Sequence, residues 1–488
     1  MLIFSLYQYI NEPFDNNSYL SISNIMCTFA NSKSYQLILS RYTSEFKTNI
    51  RLATPVVMGS LGHVLVGLAD DIMVGVLGPV QLAATSLGNS LVFIAISIGI
   101  GFSFALTPLI AEADGENDIQ KGRSIFQHGI LLNTSLGIVM FIMLLFAEPI
   151  LNHLKQPPEV VALAIPYFKI VALSMIPLMM FQGLKQFADG ASQTKHAMKA
   201  TIVANVINVL INFLLIYGIW IFPRLELVGA AVGTLVSRIG MLFILYYLLR
   251  KVPSFDPFFV LLKKAEIKWK MFIKIINLGF PTALQILFEV GVFVAAVMIS
   301  GVLGAFPQAA NQIAMKLAST TFMIAIGVGV ATTVRIGNQK GIGDYINLRR
   351  IAFSNFLLIA SAMLIFSILF FAFHSVLPYM FTTNEEVIEI AATLLIVAAV
   401  FQLSDGLQAV ILASLRGIQD VWTPSLLTFI AYWMVGFPIS YYLGLYTDYK
   451  TLGIWIGLSL GLTTSAILLF LRFNYKTKKL IQKHHATT

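Results

Sequence analysis

The sequence carries very little charge for its length. Of 488 residues, 11% are Asp, Glu, Lys or Arg, 57% are apolar or aromatic, and the mean hydropathy is +0.82. Soluble proteins usually contain about 25% charged residues, so this scarcity excludes a soluble enzyme. Each remaining charge inside an apolar run becomes informative, because an ionised side chain in hydrocarbon is costly.

Cysteine and the common catalytic motifs are also scarce. Cys27 is the single cysteine, which excludes an intramolecular disulfide and says nothing about the redox compartment. The sequence contains no Walker loop, no HExxH and no zinc-ligand spacing. We therefore predict no enzyme, no cofactor and no ATP-driven pump, and expect an ion gradient to supply the energy.

Long apolar runs are what the sequence has in abundance. About 20 apolar residues in a helix cross a bilayer, and twelve such runs follow one another between Leu52 and Phe473. They lack the alternation of apolar and polar residues that marks a transmembrane strand. We predict an all-α polytopic membrane protein with twelve transmembrane helices at 52–77, 84–111, 124–147, 159–184, 197–222, 227–249, 271–303, 309–334, 351–373, 386–415, 421–446 and 452–471.

Basic residues lie almost entirely on one side of these twelve spans. Of 32 Lys and Arg, 26 fall on the side of the N-terminus, three in opposite loops and three within spans, with Arg416 counted among the 26. Such an excess marks the cytoplasmic face, so we predict a plasma (inner) membrane protein with both termini cytoplasmic. The distribution indicates contact with anionic lipid rather than with nucleic acid.

The two halves of the chain look duplicated. Leu82-Ala83-Ala84 is matched by Gln308-Ala309-Ala310, and Pro55 is matched by Pro281 at the same offset. Transporters built from parallel repeats bind substrate between the halves. We therefore predict two pseudo-symmetric six-helix bundles. The predicted segments are a cytoplasmic N-terminal extension at 1–50, lobes at 51–250 and 271–474, a cytoplasmic linker at 251–270 and a cytoplasmic tail at 475–488.

Three acids inside the predicted spans are candidate ion-coupling residues. They are Asp70 in span 1, Glu289 in span 7 and Asp405 in span 10. Glu289 and Asp405 lie near mid-depth in the same half, where neighbouring carboxylates repel and recruit a proton or a cation. They are also the predicted ligands if that cation is Na⁺. Asp70 is either functional or a structural acid bonded to neighbouring helices, and Asp71 beside it points about 100° away.

Other polar residues are candidates for the wall of a substrate cavity. Asn205, Asn208 and Asn212 share one face of span 5, where amides either join helices or line a wet cavity. Gln312 in span 8 is a further candidate. Lys316, in the same span, either pairs with an acid of its half or extends outward to the interface.

Several segments resemble the MATE (multidrug and toxic compound extrusion) family. The resemblance runs from about residue 51 to residue 475 and is carried by Gly67–Gly75, Asn208 to Asn212 before Tyr217-Gly218, Ala309–Ala314, Val334–Asn338 and Ser414–Asp420. It implies a V-shaped pair of six-helix lobes. It also implies Na⁺- or H⁺-coupled export of cationic, often aromatic, organic compounds. We expect a monomer whose partners are these compounds and membrane lipid.

Within that family, Glu289 and Asp405 resemble the acid pair of the NorM-type branch. Asp70 matches the family's span 1 aspartate, and Asn208 and Asn212 match its span 5 asparagines. The resemblance therefore implies that the same residues couple ion and substrate.

Two departures from the family pattern bear on the coupling ion. Phe401 stands where the NorM-type branch has a tyrosine, one turn before Asp405, so a hydroxyl ligand for Na⁺ is lost. Lys316 stands where the family usually has an uncharged residue, and would act as an internal counter-ion to the acid pair. Both departures favour protons, although Na⁺ stays open.

The sequence as a whole predicts a secondary multidrug antiporter. A lipid-linked saccharide flippase of the same superfamily is the nearest alternative, but an acid pair disfavours a pyrophosphate substrate. An integral membrane transferase is a second alternative, and it would need a polar catalytic cluster at a membrane interface, which the sequence lacks.

Overall fold

Twelve long apolar helices form most of the computed structural model, which describes residues 42–154, 156–260 and 267–486. Cys27, Lys155 and the linker lysines Lys263 and Lys264 lie outside these ranges. The helices of the described residues are named α1 to α12: Phe46–Gly75, Pro79–Gly115, Ile119–His153, Pro158–Gly190, Thr194–Tyr217, Glu226–Arg250, Trp269–Val302, Ala305–Ile342, Tyr345–Phe373, Glu385–Gly417, Trp422–Leu445 and Lys450–His484.

All twelve helices are long and apolar enough to cross a membrane, which confirms the predicted fold class. The chain divides into two units, Met1–Glu45 and Phe46–Thr488, and the helices all belong to the second. Ten of them are longer than the predicted spans, because the hydrogen-bonded backbone continues past the apolar run, whereas α5 and α11 are slightly shorter. Thus α1 begins at Phe46, inside the predicted 1–50 extension, and α10 continues to Gly417.

Four of the helices are interrupted near prolines, and one of them is α3, whose long segment ends at Ala147, before Pro149. Proline lacks the N–H that would bond the preceding turn, so it locally breaks the helical hydrogen-bond pattern. The first segment of α2 ends at Ser103, before Pro108, and that of α4 ends at Leu173, before Pro177. In α11, a π-helix over Ile430–Gly436 precedes Pro438. Such π-segments are often found at functional sites.

The duplication is visible in the local backbone as well as in the sequence. Gly78 and Gly304 precede α2 and α8 with φ of 132° and 124°, a conformation that favours glycine. Asp118 and Asp344 cap α3 and α9, and each carboxylate accepts the backbone N–H three residues on at 2.9 Å. Both pairs have the sequence offset of the paired prolines, so the two halves begin these helices by the same means.

The lobes meet through α1 against α8 and α2 against α7. At Gly101 an added Cβ would lie 2.9 Å from the Cα of Ala283, and Gly327 similarly leaves no room for a side chain beside Val57. The duplication pairs Gly101 with Gly327 and Val57 with Ala283, again at the common offset. The interface between the lobes therefore follows the pseudo-two-fold relation.

An ionic cluster joins the lobes at the end of the bundle where α1 begins, called here the basic end. Glu112 of α2 is 3.1 Å from the ammonium of Lys340 and 3.9 Å from that of Lys274, and accepts a 2.8 Å hydrogen bond from the Gln419 amide. Lys121 of its own lobe lies 3.6 Å away. These residues, the Glu112 cluster, tie the first lobe to α7, α8 and the end of α10.

Candidate functional site

A cavity of about 770 Å³ lies between the two lobes. Its wall is formed by α2 of the first lobe and by α7, α8 and α10 of the second, with one side chain from α4. The volume falls within the range of about 300–1,000 Å³ that is typical of small-molecule sites. Most of its lining side chains are aliphatic, and aromatic ones contribute as well, including Phe93, Phe104, Phe293 and Phe322. The cavity therefore suits an apolar or aromatic small molecule.

Glu289 and Asp405 both line this cavity, from α7 and α10. They lie close enough for the charge of Glu289 to act on Asp405. Among the described residues, neither carboxylate accepts a hydrogen bond from a side chain or from the backbone. The structure thus brings the two acids together and leaves them facing the cavity.

Aromatic residues surround this acid pair. Phe401 lines the cavity and is 2% exposed, with its ring centroid 5.2 Å from that of Trp455. Trp433, in the π-helix of α11, donates its indole N–H to the carbonyl of Phe288 at 3.1 Å, which fixes α7 beside the neighbouring acid. The buried hydroxyl of Tyr432 lies within electrostatic range of both carboxylates.

Gln312 and Lys316 also line the cavity, from the part of α8 that lies away from the basic end. The Lys316 side chain is exposed, and among the described residues no carboxylate lies within 4.0 Å of its ammonium. Its charge instead acts on Asp71 of α1. The structure therefore does not pair Lys316 with Glu289 or Asp405.

Asp70 lies in a separate hydrogen-bonded network inside the first lobe. Asn212 donates to its carboxylate at 2.7 Å and to the amide oxygen of Asn208 at 3.2 Å. Asn208 in turn donates to the hydroxyl of Ser237 at 3.4 Å. The network joins α1, α5 and α6, while Asp71 is exposed on the other side of α1. As the helical spacing predicts, only one of the two aspartates faces the interior.

Of the two roles predicted for the three asparagines, the contacts in the structure match the joining of helices. Asn205, Asn208 and Asn212 are not among the residues that line the cavity of the described structure. Their shared face turns toward α1, where an added Cβ on Gly62 would lie 3.0 Å from the Asn205 amide nitrogen. The amides of Asn208 and Asn212 join helices of the first lobe, because their partners Ser237 and Asp70 lie inside that lobe.

Arg416 is the main cavity residue that the sequence analysis placed wrongly. We counted it among the basic loop residues, because its span was predicted to end at residue 415. Helix α10 continues past it, and the guanidinium lines the cavity 5.2 Å from the centroid of Phe104 in the other lobe. Gln408 and Gln186 line the same region. Their spacing along the chain carries no sign of this, because different helices bring these side chains together.

The described side chains of this region do not provide a complete set of metal ligands. Across the described ranges, no group of three His, Cys, Asp or Glu side chains is arranged to hold a metal ion. Glu289 and Asp405 offer two carboxylates, and any further oxygen ligand for Na⁺ would come from a hydroxyl or from water.

Two lobes of six helices around a central cavity define a membrane transporter built from repeats. The chain belongs to the MATE family: the MatE family model matches residues 55–214 and 281–442, two segments that begin at the pair of prolines related by the duplication.

Named relatives and a solved structure agree with this assignment. A probable multidrug resistance protein NorM of Rhizobium meliloti is 33% identical over 438 residues, covering 88% of this chain and 94% of the relative. The multidrug resistance protein NorM of Photobacterium profundum is 30% identical, with 90% and 97% covered. The crystal structure of a MATE in the bent conformation has a TM-score of 0.83 at 21% identity, covering 92% of this chain and 99% of that one.

Proposed function

We propose that this protein is a secondary multidrug exporter that moves small organic cations across the membrane in exchange for Na⁺ or H⁺. Relatives that carry the multidrug resistance name match it over most of both chains. The observation that carries the proposal is the placement of Glu289 and Asp405 on one aromatic-lined cavity between the lobes. Aromatic surfaces with a few carboxylates attract cationic aromatic compounds of varied shape.

The coupling chemistry follows from competition for the acid pair. An organic cation and an inorganic cation or proton are both attracted to Glu289 and Asp405. When the ion neutralises a carboxylate, the hold on the organic cation weakens and it leaves. The ion drives the cycle only through its different affinity for the two conformations of the protein. Asp70, in the other lobe, is a second place for the ion to bind.

The proposed orientation comes from the basic residues. We place the basic end in the cytoplasm and the protein in the plasma (inner) membrane, because Lys and Arg mark the cytoplasmic face. The Glu112 cluster and the close packing at Gly101 and Gly327 join the lobes toward that end. We accordingly assign the described conformation to the outward-facing state. We expect a monomer that contacts lipid along its outer helices.

The test is transport by purified protein in liposomes. Ethidium movement is measured with an imposed Na⁺ gradient and, separately, with an imposed pH gradient of the same direction. We expect one gradient to drive export and the other to have little effect. Absence of movement under both gradients would overturn the proposal.

A matched variant separates coupling from leakage. Glu289→Gln keeps the size of the side chain and removes its charge, so gradient-driven movement should stop while the protein still enters the liposomes. Expression in an efflux-deficient strain separates the alternative function, because a flippase for lipid-linked saccharides would give no resistance to ethidium.

A further inference from the structure

Arg416 of α10 lies on the wall of the same cavity as Glu289 without forming an ion pair with it. In the described structure, no carboxylate lies within 4.0 Å of its guanidinium nitrogens. Each of the two charges nevertheless acts on the other. Opposite charges that are buried together normally pair, because a buried charge without a partner is costly. The separation of Arg416 from Glu289 therefore needs a physical cause.

Two contacts hold the guanidinium away from the carboxylate. One Nη of Arg416 donates to the side-chain oxygen of Gln285 at 3.1 Å, and its guanidinium carbon lies 5.2 Å from the ring centroid of Phe104. Gln285 stands one helical turn before Glu289 on the same face of α7, about 6 Å along the axis at 1.5 Å per residue. A shift of one turn would therefore carry the guanidinium from the amide to the carboxylate.

The two contacts come from different lobes. Gln285 belongs to the second lobe, together with Arg416, whereas Phe104 belongs to α2 of the first lobe. A cation over the face of an aromatic ring is stabilised by that ring. This stabilisation exists only while α2 and α10 are in contact, so it is lost when the lobes part at the basic end. The surroundings of Arg416 thus depend on the conformation of the transporter.

Neither Arg416 nor Glu289 is fully satisfied in the described conformation. The Nε of Arg416 is buried and has no hydrogen-bond partner there, and the same is true of the Gln285 amide nitrogen. A carboxylate is a stronger partner for a guanidinium than a neutral amide, because it accepts two N–H groups at once. Among the described residues, none donates a hydrogen bond to Glu289. Pairing of the two charges would therefore satisfy both once Phe104 withdraws.

We propose that Arg416 is an internal cation that replaces the coupling ion at Glu289 when the lobes part at the basic end. In the described conformation the guanidinium stays on Phe104 and Gln285, which leaves Glu289 open to the ion. After the lobes part, Arg416 occupies Glu289 and the ion leaves. The organic cation displaces Arg416 in the next step. This inference rests on the proposed function, because it requires Glu289 to bind both the ion and the substrate.

The first test measures ethidium binding to purified protein by fluorescence titration. Gln285→Met keeps the length of the side chain and removes the oxygen that holds the guanidinium. Arg416 should then compete for Glu289 and weaken ethidium binding about tenfold. Arg416→Gln removes the competitor, so binding should tighten about threefold. The double variant should bind like Arg416→Gln, because Gln285 acts only through Arg416.

A second substitution keeps this test decisive if Arg416→Gln does not fold. Arg416→Lys keeps the charge but lacks the planar guanidinium that lies over Phe104. Its ammonium should compete for Glu289 and weaken ethidium binding about threefold. Substitutions of one residue are thus expected to act in opposite directions, which loss of packing alone would not produce.

The matched control is Arg349→Gln. The Arg349 guanidinium also lies over a ring, 5.4 Å from the centroid of Phe353, and donates to the hydroxyl of Thr477 at 2.6 Å. These partners belong to the lobe of Arg349 itself and lie outside the cavity. The control should therefore leave ethidium binding unchanged.

Transport in liposomes tests the replacement of the ion itself. In Arg416→Gln the ion stays at Glu289, so gradient-driven ethidium export should fall about tenfold. Exchange of ethidium for ethidium without a gradient does not require release of the ion, and should change by less than about twofold. A general defect in folding would lower export and exchange together.

The outcomes also separate this inference from the proposed function. The internal cation is overturned by equal weakening of binding by Gln285→Met with and without Arg416, or by no weakening in both Gln285→Met and Arg416→Lys. A parallel loss of export and exchange in Arg416→Gln overturns it as well. Absence of gradient-driven export by the wild-type protein overturns the exporter instead.

Discussion

The acid of the first lobe and the acids of the second have different surroundings. Asp70 accepts a 2.7 Å hydrogen bond from Asn212 and belongs to a network that joins three helices. Glu289 and Asp405 line the cavity and, in the described structure, accept no hydrogen bond. A change in the charge of a carboxylate held by fixed donors alters its hydrogen bonds to the helices around it, whereas a pair without such donors is available to a ligand. If the acid pair binds the substrate as proposed, the hydrogen-bonded Asp70 is the acid better placed to couple its charge to the helices of the other lobe.

The duplication makes this difference informative. At the offset that relates the two halves, the position of Glu289 is occupied in the first lobe by His63, and the position of Asp70 is occupied in the second lobe by Ala296. Ala296 is 1% exposed within the apolar core. The helix starts and the interlobe glycines are kept in both halves, but the acids are not. The two lobes therefore share a framework and differ in chemistry.

The largest effect should separate the open acid pair from Asp70. Glu289→Gln or Asp405→Asn removes a charge from the cavity wall, so ethidium binding to purified protein should weaken about tenfold or more, as for one charged contact. Asp70→Asn should change ethidium binding by less than about twofold, because this carboxylate lies outside the cavity. Fluorescence titration measures all three, and equal weakening by Asp70→Asn would remove the distinction between the lobes.

The next effect concerns the Glu112 cluster, which holds the lobes together at the basic end. Asn338 of α8 donates to Asp114 of α2 at 3.2 Å. Cysteines at these two positions should therefore cross-link when the lobes are in contact at the basic end. With Cys27→Ser as the background, Glu112→Gln should slow oxidative cross-linking about tenfold, since a charged contact between the lobes is lost.

The matched control for this variant is Glu116→Gln. Glu116 bonds to Lys121 of the same lobe at 2.7 Å, so its loss should leave cross-linking between the lobes unchanged. A similar slowing in both variants would show that net charge, rather than the contact between the lobes, sets the rate.

A smaller effect tests whether the hydrogen-bonded network around Asp70 stabilises the fold. Asn212→Leu removes the donor to a carboxylate that is largely buried, at a cost of about 1–3 kcal/mol in the free energy of unfolding. Asn205→Leu alters the same face of α5, but its amide nitrogen has no partner in the described structure. We expect the thermal midpoint in detergent to fall by several degrees in Asn212→Leu and by much less in Asn205→Leu. Equal midpoints would mean that the Asp70 contact adds no stability.

The sequence was sufficient to predict the fold because each transmembrane helix can be recognised from its own residues. An apolar run of about 20 residues predicts a span without knowledge of its neighbours, and all twelve predicted spans coincide with helices of the described structure. The face shared by Asn205, Asn208 and Asn212 was predictable for the same reason. The partner of that face was not, because Asp70 reaches it from another helix, far from Asn212 in the sequence.

The polar residues around Arg416 show the limit of sequence reasoning more clearly. Arg416 stands at the end of an apolar run, where a basic residue usually marks topology. Its contact with Phe104 crosses between the lobes, and its neighbours Gln186 and Gln408 come from distant parts of the chain. A pattern along one helix carries no information about such a meeting of side chains. The two acids, in contrast, could be identified as candidates, because a carboxylate inside an apolar run is recognised from that segment alone.

The smallest expected effect concerns the missing hydroxyl beside the acid pair. Phe401 precedes Asp405 by one helical turn, so Phe401→Tyr places a hydroxyl on the same face of α10. An added oxygen ligand favours Na⁺ over a proton, and should raise Na⁺-driven ethidium export about threefold relative to proton-driven export, which corresponds to less than about 1 kcal/mol. Phe322→Tyr, elsewhere on the cavity wall, is the control. Phe401 is packed against Trp455, so the thermal stability of the variant is measured as well. A changed ratio of Na⁺-driven to proton-driven export with unchanged stability would assign the effect to ion binding. An unchanged ratio would show that this position does not select the coupling ion.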